Sequence, residues 1–341
     1  MQPTSPAQFE ASRSGAIPGP ERVRDDVWAL AQRMPGGYLP YSLLYLLRDS
    51  EGAFHVIDPG WDSPENWAGL TAILDTLDAT PADVRSITST HLHPDHIGLA
   101  ERVREASGAP LQLHETEAAA VGSPFDVARG AEAVAAQLES WGVPTDRRDE
   151  ILRITAQASH FAPPAADRTF IDGERLDIPG FDLRAMLTPG HTSGHVCLRD
   201  DERSVLFTGD HLLPMIYPGL GLGAPSDSNP LADYVTSLER VSRYPDHEVL
   251  PGHGYRFRGV AARAVETAEH HFRRSREVAA GLADAPNAST WEIASHLTWS
   301  AGWRKLVDFL LYSALAQTEM HRDYLVRAAR SSSGGSSGLP G

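Results

Sequence analysis

His91-Leu92-His93-Pro94-Asp95-His96 places three imidazoles and one carboxylate within six residues, directly after the strand-like run Val84 to Thr90. In extended backbone alternate side chains share a face, so His91 and His93 point the same way and can hold one ion together. Pro94 ends the strand, and the turn it begins carries Asp95 and His96 toward a second, adjacent position. From Ile97 to Ala106 the residues Ile97, Ala100 and Val103 recur on one helical face, until Gly108 and Pro110 stop the helix. The run therefore belongs on a strand-to-helix turn. Imidazole and carboxylate together suit Zn, and Fe or Mn can be held by the same set.

Two metals about 3.5–4 Å apart can share a hydroxide activated near neutral pH and polarise the bond under attack. Four residues cannot fill two such sites. Three further candidates fall just past strand-like runs, in Gly-containing turns: His191 in Pro-Gly-His, Asp210 in Thr-Gly-Asp and His253 in Pro-Gly-His-Gly. The runs are Leu183 to Leu187, Val205 to Phe207 and Glu248 to Leu250, and small neighbours let backbone approach an ion closely.

In this order, across roughly residues 27–260, these seven residues resemble the metallo-β-lactamase superfamily of hydrolases. The resemblance implies an α/β fold, a four-layer αββα sandwich, holding two Zn ions. It implies that His91, His93 and His191 bind the first metal, that Asp95, His96 and His253 bind the second, and that Asp210 bridges both. It further implies that a metal-bridging hydroxide, oriented by Asp95, cleaves a thioester, ester, lactone or amide of a small-molecule or carrier-linked acyl substrate. Cys197 lies among apolar residues as a buried, inert thiol, and His96 completes the second set. The chain is thus more similar to the lactonase, glyoxalase II and nuclease branches than to cysteine-liganded β-lactamases. His195 and His211 are candidate groups behind the ligands or beside the substrate, and Met215, Tyr217 and Tyr255 are candidate pocket residues. His55, His160 and His271 are read as ordinary structural histidines.

The 341 residues, 41% hydrophobic and 22% charged, describe a folded chain with room for more than one domain. Residues 1–20, rich in Pro, Ser, Gly and Ala, read as a flexible arm. Residues 21–260 read as the catalytic domain, with residues 115–166 as a helical insertion able to cap a pocket. Residues 261–329 read as a small helical domain resembling the winged-helix-like extension of the β-lactamase-like endoribonuclease branch, and residues 330–341 as a flexible Ser/Gly tail. No apolar run approaches the roughly 20 residues of a membrane span. One cysteine excludes an intrachain disulfide and points to a reducing, cytoplasmic setting. A net charge of -15 argues against nucleic-acid binding by the whole chain. Residues 255–330, however, carry 11 Arg and Lys against 8 Asp and Glu, which leaves RNA cleavage by the same metals as the alternative. Oligomeric state is left open, a dimer included.

Overall fold

The computed structural model describes all residues except 37–38, 123–126, 158–160, 225, 300 and 335–341. In chain order the strands are β1 (Gln2–Pro3), β2 (Glu21–Arg24), β3 (Val27–Arg33), β4 (Tyr41–Arg48), β5 (Phe54–Ile57), β6 (Val84–Thr88), β7 (Leu111–His114), β8 (Arg168–Phe170), β9 (Leu183–Leu187), β10 (Val196–Asp200), β11 (Val205–Gly209), β12 (Glu248–Pro251) and β13 (Phe257–Arg258). The helices are α1 (Pro6–Ser14), α2 (Pro64–Thr76), α3 (Pro94–Ile97), α4 (Ala100–Ser107), α5 (Glu115–Gly122), α6 (Val127–Ser140), α7 (Thr145–Gln157), α8 (Pro230–Val241), α9 (Val260–Asp284), α10 (Thr290–His296) and α11 (Asp308–Gly334).

The strands form two sheets, ordered β2-β3-β4-β5-β6-β7-β8 and β1-β13-β12-β11-β10-β9. Why β4 is apolar almost throughout follows from where its two faces go. Leu43, Tyr45 and Leu47 enter a core shared with Leu183, Ala185, Val196, Leu198 and Phe207 of the other sheet. Leu44 and Leu46 face Leu70 and Leu74 of α2 and Val103 of α4. A strand covered on both faces cannot show polar alternation. On the other sheet, α8 is tied down where Ser237 Oγ donates to the Pro189 carbonyl and Arg240 to the Leu187 carbonyl. Helix, two sheets and helix are the four layers expected.

β5, β6, β7 and β8 run parallel, as do β11 and β12. Ligands in such sheets gather beyond the carboxyl ends of strands, and the loops after β5, β6, β11 and β12 carry Asp58, the His91 to His96 run, Asp210 and His253.

The N-terminal residues are not a loose arm. Gln2 and Pro3 pair with Arg258 and Phe257, and Ser5 caps α1 by accepting from the Gln8 amide at 3.0 Å, with Pro6 at the first helical position. Composition alone hid a capped helix whose Phe9 meets Tyr255 edge-on, with ring centroids 5.0 Å apart.

The chain divides into two compact units: Met1–Ser123, Phe161–Ser226 and Asp233–Glu266 form the first, and Pro124–His160, Asp227–Ala232 and Thr267–Gly341 the second. This corrects the placement of the helical insertion within the catalytic domain. Leu138, Trp141, Val143 and Ile151 share one apolar cluster with Ala294, Leu306, Leu311 and Leu315, so α6 and α7 join the C-terminal helices. The second unit contains no strand among its described residues, so its likeness to a winged helix is limited to helices. Ser289 and Glu292 form the capping box of α10. Arg274 and Arg276, two of the basic residues, pair with Glu277 and Glu269, which weakens the RNA reading. Most of the Ser/Gly tail, together with His160, lies outside the described residues. No helix among them is long and apolar enough to cross a membrane.

His271 and His321 of the second unit are buried, with rings stacked at 6.1 Å and Ser275 Oγ 2.9 Å from His321 Nδ1. Burial pushes their pKa values down to about 3 and about 4. Their folded values lie below the unfolded one, so the unfolded chain binds more protons in acid. Their contribution is complete above about pH 6.5 and is lost as pH falls toward 4, at up to about 1.4 kcal/mol per histidine per pH unit. Urea unfolding at pH 7.5 and pH 5 is expected to show this loss, with a shallower pH dependence in His271→Leu. An equal dependence in that variant would refute the assignment.

Candidate metal centre

All seven residues singled out from the sequence converge. Three sets have ligand atoms within 4.8 Å of one another: His91, His93 and His191; His91, His96 and Asp210; and Asp95, His96 and His253. His93 Nδ1 lies 3.0 Å from His91 Nε2 and 3.1 Å from His191 Nε2. His253 Nε2 lies 3.2 Å from both Asp95 Oδ2 and Asp210 Oδ1, and 3.4 Å from His96 Nε2.

Each ring nitrogen turned away from the centre meets an acceptor, which fixes the proton there. His253 Nδ1 donates to the Tyr41 carbonyl (2.9 Å), His191 Nδ1 to the Gly219 carbonyl (2.6 Å) and His93 Nε2 to the Leu222 carbonyl (2.9 Å). His96 Nδ1 donates to Asp58 Oδ2 at 3.0 Å. Thr90 Oγ1 gives its one proton to Asp58 at 2.9 Å, so at 3.0 Å from His91 Nδ1 it can only accept. Five ring nitrogens with no partner outside the centre are thus directed at one another and at two carboxylates, open to a proton or to a metal. Asp210 Oδ1 is buried without a normal hydrogen bond among the described residues. Neighbouring lone pairs about 3 Å apart repel unless a cation lies among them. This donor set of imidazole nitrogens and carboxylate oxygens fits metal ions of the Zn type.

The electrostatics agree. Burial holds the pKa of His91 well below its ordinary value and that of His191 down to about 4, helped by the neighbouring imidazoles. Burial opposes charge on His253 as well, yet Asp210 and Asp95 outweigh it and raise its pKa to about 10. The same carboxylates, with Asp58, hold His96 well above its ordinary value. Asp210 itself, despite burial, is kept well below the usual carboxylate range by His253 and His96. The carboxylates draw positive charge to these nitrogens, and protons compete with metal for it.

A Cβ on Gly252 would lie 2.6 Å from His96 Cε1 and 2.7 Å from Asp210 Oδ1, so the Pro-Gly-His turn needs its glycine for lack of room.

The remaining candidates separate. His195 is buried behind the centre, where its Nε2 accepts from the Asp210 amide at 3.2 Å and its Nδ1 lies 3.0 Å from Thr188 Oγ1. His211 is buried against Tyr234, with ring centroids 5.0 Å apart, and burial pushes its pKa down to about 3; it does not face a substrate. Tyr255 is likewise buried, packed on Phe9 of α1 rather than open to a pocket. Tyr217 turns its hydroxyl to Glu266 at 3.3 Å, beneath the Arg263 guanidinium 4.7 Å from its ring. Met215 is exposed, as is Leu222, which the sequence did not single out. Also missed were Asp58 and Glu117. Asp58, one residue past β5 with φ of 50°, accepts from the Thr90 amide at 2.7 Å as well as from Thr90 Oγ1 and His96. An acidic residue closing a strand just before Pro-Gly was the available signal.

Cys197 is buried as expected, and burial pushes its thiol up to about 12. Since the thiolate is the reactive form, the native chain at pH 8 is expected to resist a disulfide reagent that labels the guanidinium-unfolded chain at once. Prompt native labelling would show this strand open to solvent.

A double-sheet αββα sandwich with a histidine and carboxylate cluster at its strand ends defines a metal-dependent hydrolase. The chain belongs to the metallo-beta-lactamase superfamily, whose family model matches residues 38–253. A metallo-beta-lactamase family protein from Thermus thermophilus is 29% identical with a TM-score of 0.72, over 90% of this chain and 95% of that one. A beta-lactamase domain protein from Burkholderia ambifaria is 28% identical with the same TM-score of 0.72, over 91% of this chain and 88% of that one. An acyl-coenzyme A thioesterase from Gallus gallus is 30% identical over 225 residues, 63% of this chain and 71% of that protein.

Proposed function

We propose that the chain is a dinuclear-metal hydrolase of acyl thioesters, with esters, lactones and amides as chemically related substrates. The observation that carries this is the convergence of five inward-facing imidazole nitrogens with Asp95 and Asp210. His91, His93 and His191 would hold one ion, Asp95, His96 and His253 the other, with Asp210 between them. Zn is the metal we favour, and Fe or Mn suits the same donors. When bound, such ions supply an activated water and polarise the carbonyl under attack. Asp95, with its side chain 14% exposed, would orient that water.

The loop after Asp210 supports an acyl substrate. Its Gly219 and Leu222 carbonyls hold His191 and His93, while Met215 and Leu222 of the same loop present exposed apolar side chains. An acyl chain would lie against these two residues, and a thioester accords with the activity named for the Gallus gallus relative. A cytoplasmic site of action, where carrier-linked thioesters occur, follows from the same reading.

The test is a hydrolysis screen of the Zn-loaded chain against acyl thioesters, lactones, a β-lactam and single-stranded RNA, with Asp210→Ala as the blank. Thioester turnover that disappears in the blank is expected. Turnover unchanged in the blank would overturn the metal mechanism, and RNA cleavage as the only metal-dependent activity would overturn the substrate class.

A further inference from the structure

We propose that Glu117 is a positioning residue that joins the two loops carrying His91, His93 and His191, and so preorganises one metal position selectively. The proposal rests on the two-metal reading above.

Glu117 lies in α5, just past β7, and is 1% exposed. Its two oxygens are shared between two separate loops. Oε1 accepts from the Leu92 amide at 2.9 Å, between His91 and His93. Oε2 accepts from Thr192 Oγ1 and from the Gly194 amide, each at 3.0 Å, in the loop that follows His191. One carboxylate thus fixes residues adjacent to all three histidines of one set.

The contact leaves no slack. A Cβ at Gly194 would lie 2.4 Å from the Glu117 amide nitrogen and 2.6 Å from Oε2, so the His191 loop is seated directly on the start of α5. The other set is held differently. His96 is oriented by Asp58, and His253 by the Tyr41 carbonyl. Glu117 bonds neither of these residues, and Leu92, the nearest residue it holds, is separated from His96 by the Pro94 turn that begins α3.

The chemistry requires a carboxylate. All three partners donate, and a carboxylate is an acceptor at both oxygens. Glutamine would keep one oxygen but set its NH₂ against donors on one loop, leaving a buried N–H without an acceptor. Alanine would release both loops. Groups that orient metal ligands typically change metal affinity about 10–100-fold when removed.

The test is Zn binding under chelator competition, combined with a mutant cycle. His253→Ala leaves the first set and His191→Ala leaves the second. In the His253→Ala background Glu117→Ala is expected to weaken Zn binding about 10–100-fold, with Glu117→Gln intermediate; in the His191→Ala background it is expected to change binding less than about threefold. Far-UV circular dichroism and chelator-treated melting curves measure the fold separately. Should Glu117→Ala not fold, Thr192→Val removes one of the three hydrogen bonds to Glu117 and is expected to give a smaller weakening confined to the first set. Equal losses in both backgrounds, or none in either, would overturn the clamp while leaving the metal reading intact. A wild-type chain that binds no Zn would overturn both.

Discussion

Asp210→Ala is expected to lower hydrolysis by at least about a thousandfold and to reduce Zn bound per chain below two. The two oxygens of Asp210 face different partners: Oδ1 lies 3.2 Å from His253 Nε2 and 3.4 Å from His96 Nε2, and Oδ2 lies 3.6 Å from His191 Nε2. On the proposed two-metal reading it is the carboxylate that would join the two ligand sets, and its loss would separate them. If it contributes several kcal/mol by holding the activated centre, at about 1.4 kcal/mol per tenfold in rate, a thousandfold corresponds to about 4 kcal/mol. Asp210→Asn keeps the shape and loses the charge, and a comparable loss is expected from it. Metal analysis after dialysis and initial rates on an acyl thioester measure the two effects. Two tightly held Zn ions together with a rate within tenfold of wild type would remove Asp210 from the mechanism.

The seven converging residues were legible because each is a metal-binding side chain shortly after an apolar run, and five of them stand beside Gly, Pro or another histidine. The residues that aim them were less legible. Asp58, on a left-handed backbone with φ of 50°, acts through its carboxylate on His96 far along the chain. Glu117 falls at the start of the helical insertion at 115–166, and its buried role appears only when the Leu92 and Gly194 amides meet it. Gly219 and Leu222 act through backbone carbonyls, which carry no side-chain signal at all.

The same contrast runs through the fold. β3, β4 and β11 are long or buried enough to show as apolar runs, whereas β1, β2, β8 and β13 have two to four residues and no readable period. α6 and α7 were legible as helices but not as members of the second unit. Their partners Ala294, Leu306 and Leu311 follow more than a hundred residues later, and an amphipathic face does not name what will cover it.

Glu248→Ala is expected to cost about 3–5 kcal/mol of stability, the range for removing one partner of a buried ion pair. Glu248 is 3% exposed and Arg256 4%, so neither has water to turn to. Glu248 accepts from Arg256 at 2.6 Å, from Arg24 at 2.8 Å and from Thr4 Oγ1 at 2.6 Å, while Arg256 also reaches Glu21 at 2.6 Å. Burial opposes ionisation of Glu248, but Thr4, Arg24 and Arg256 outweigh it and hold its pKa below the ordinary value. A depressed folded pKa means that this contribution is present at neutral pH and is lost as pH falls through the acid range. The network also joins the N-terminal segment to β12, the strand leading into His253, so the variant should loosen Zn at the Asp95, His96 and His253 set as well. Pairing Glu248→Leu with Arg256→Met removes both charges, and most of the lost stability should return because no buried charge is left alone. Urea unfolding of the single and double variants decides the matter: a single variant within about 1 kcal/mol of wild type, or a double variant no better than the single, would show that water reaches this network and that the N-terminal segment is held by packing alone.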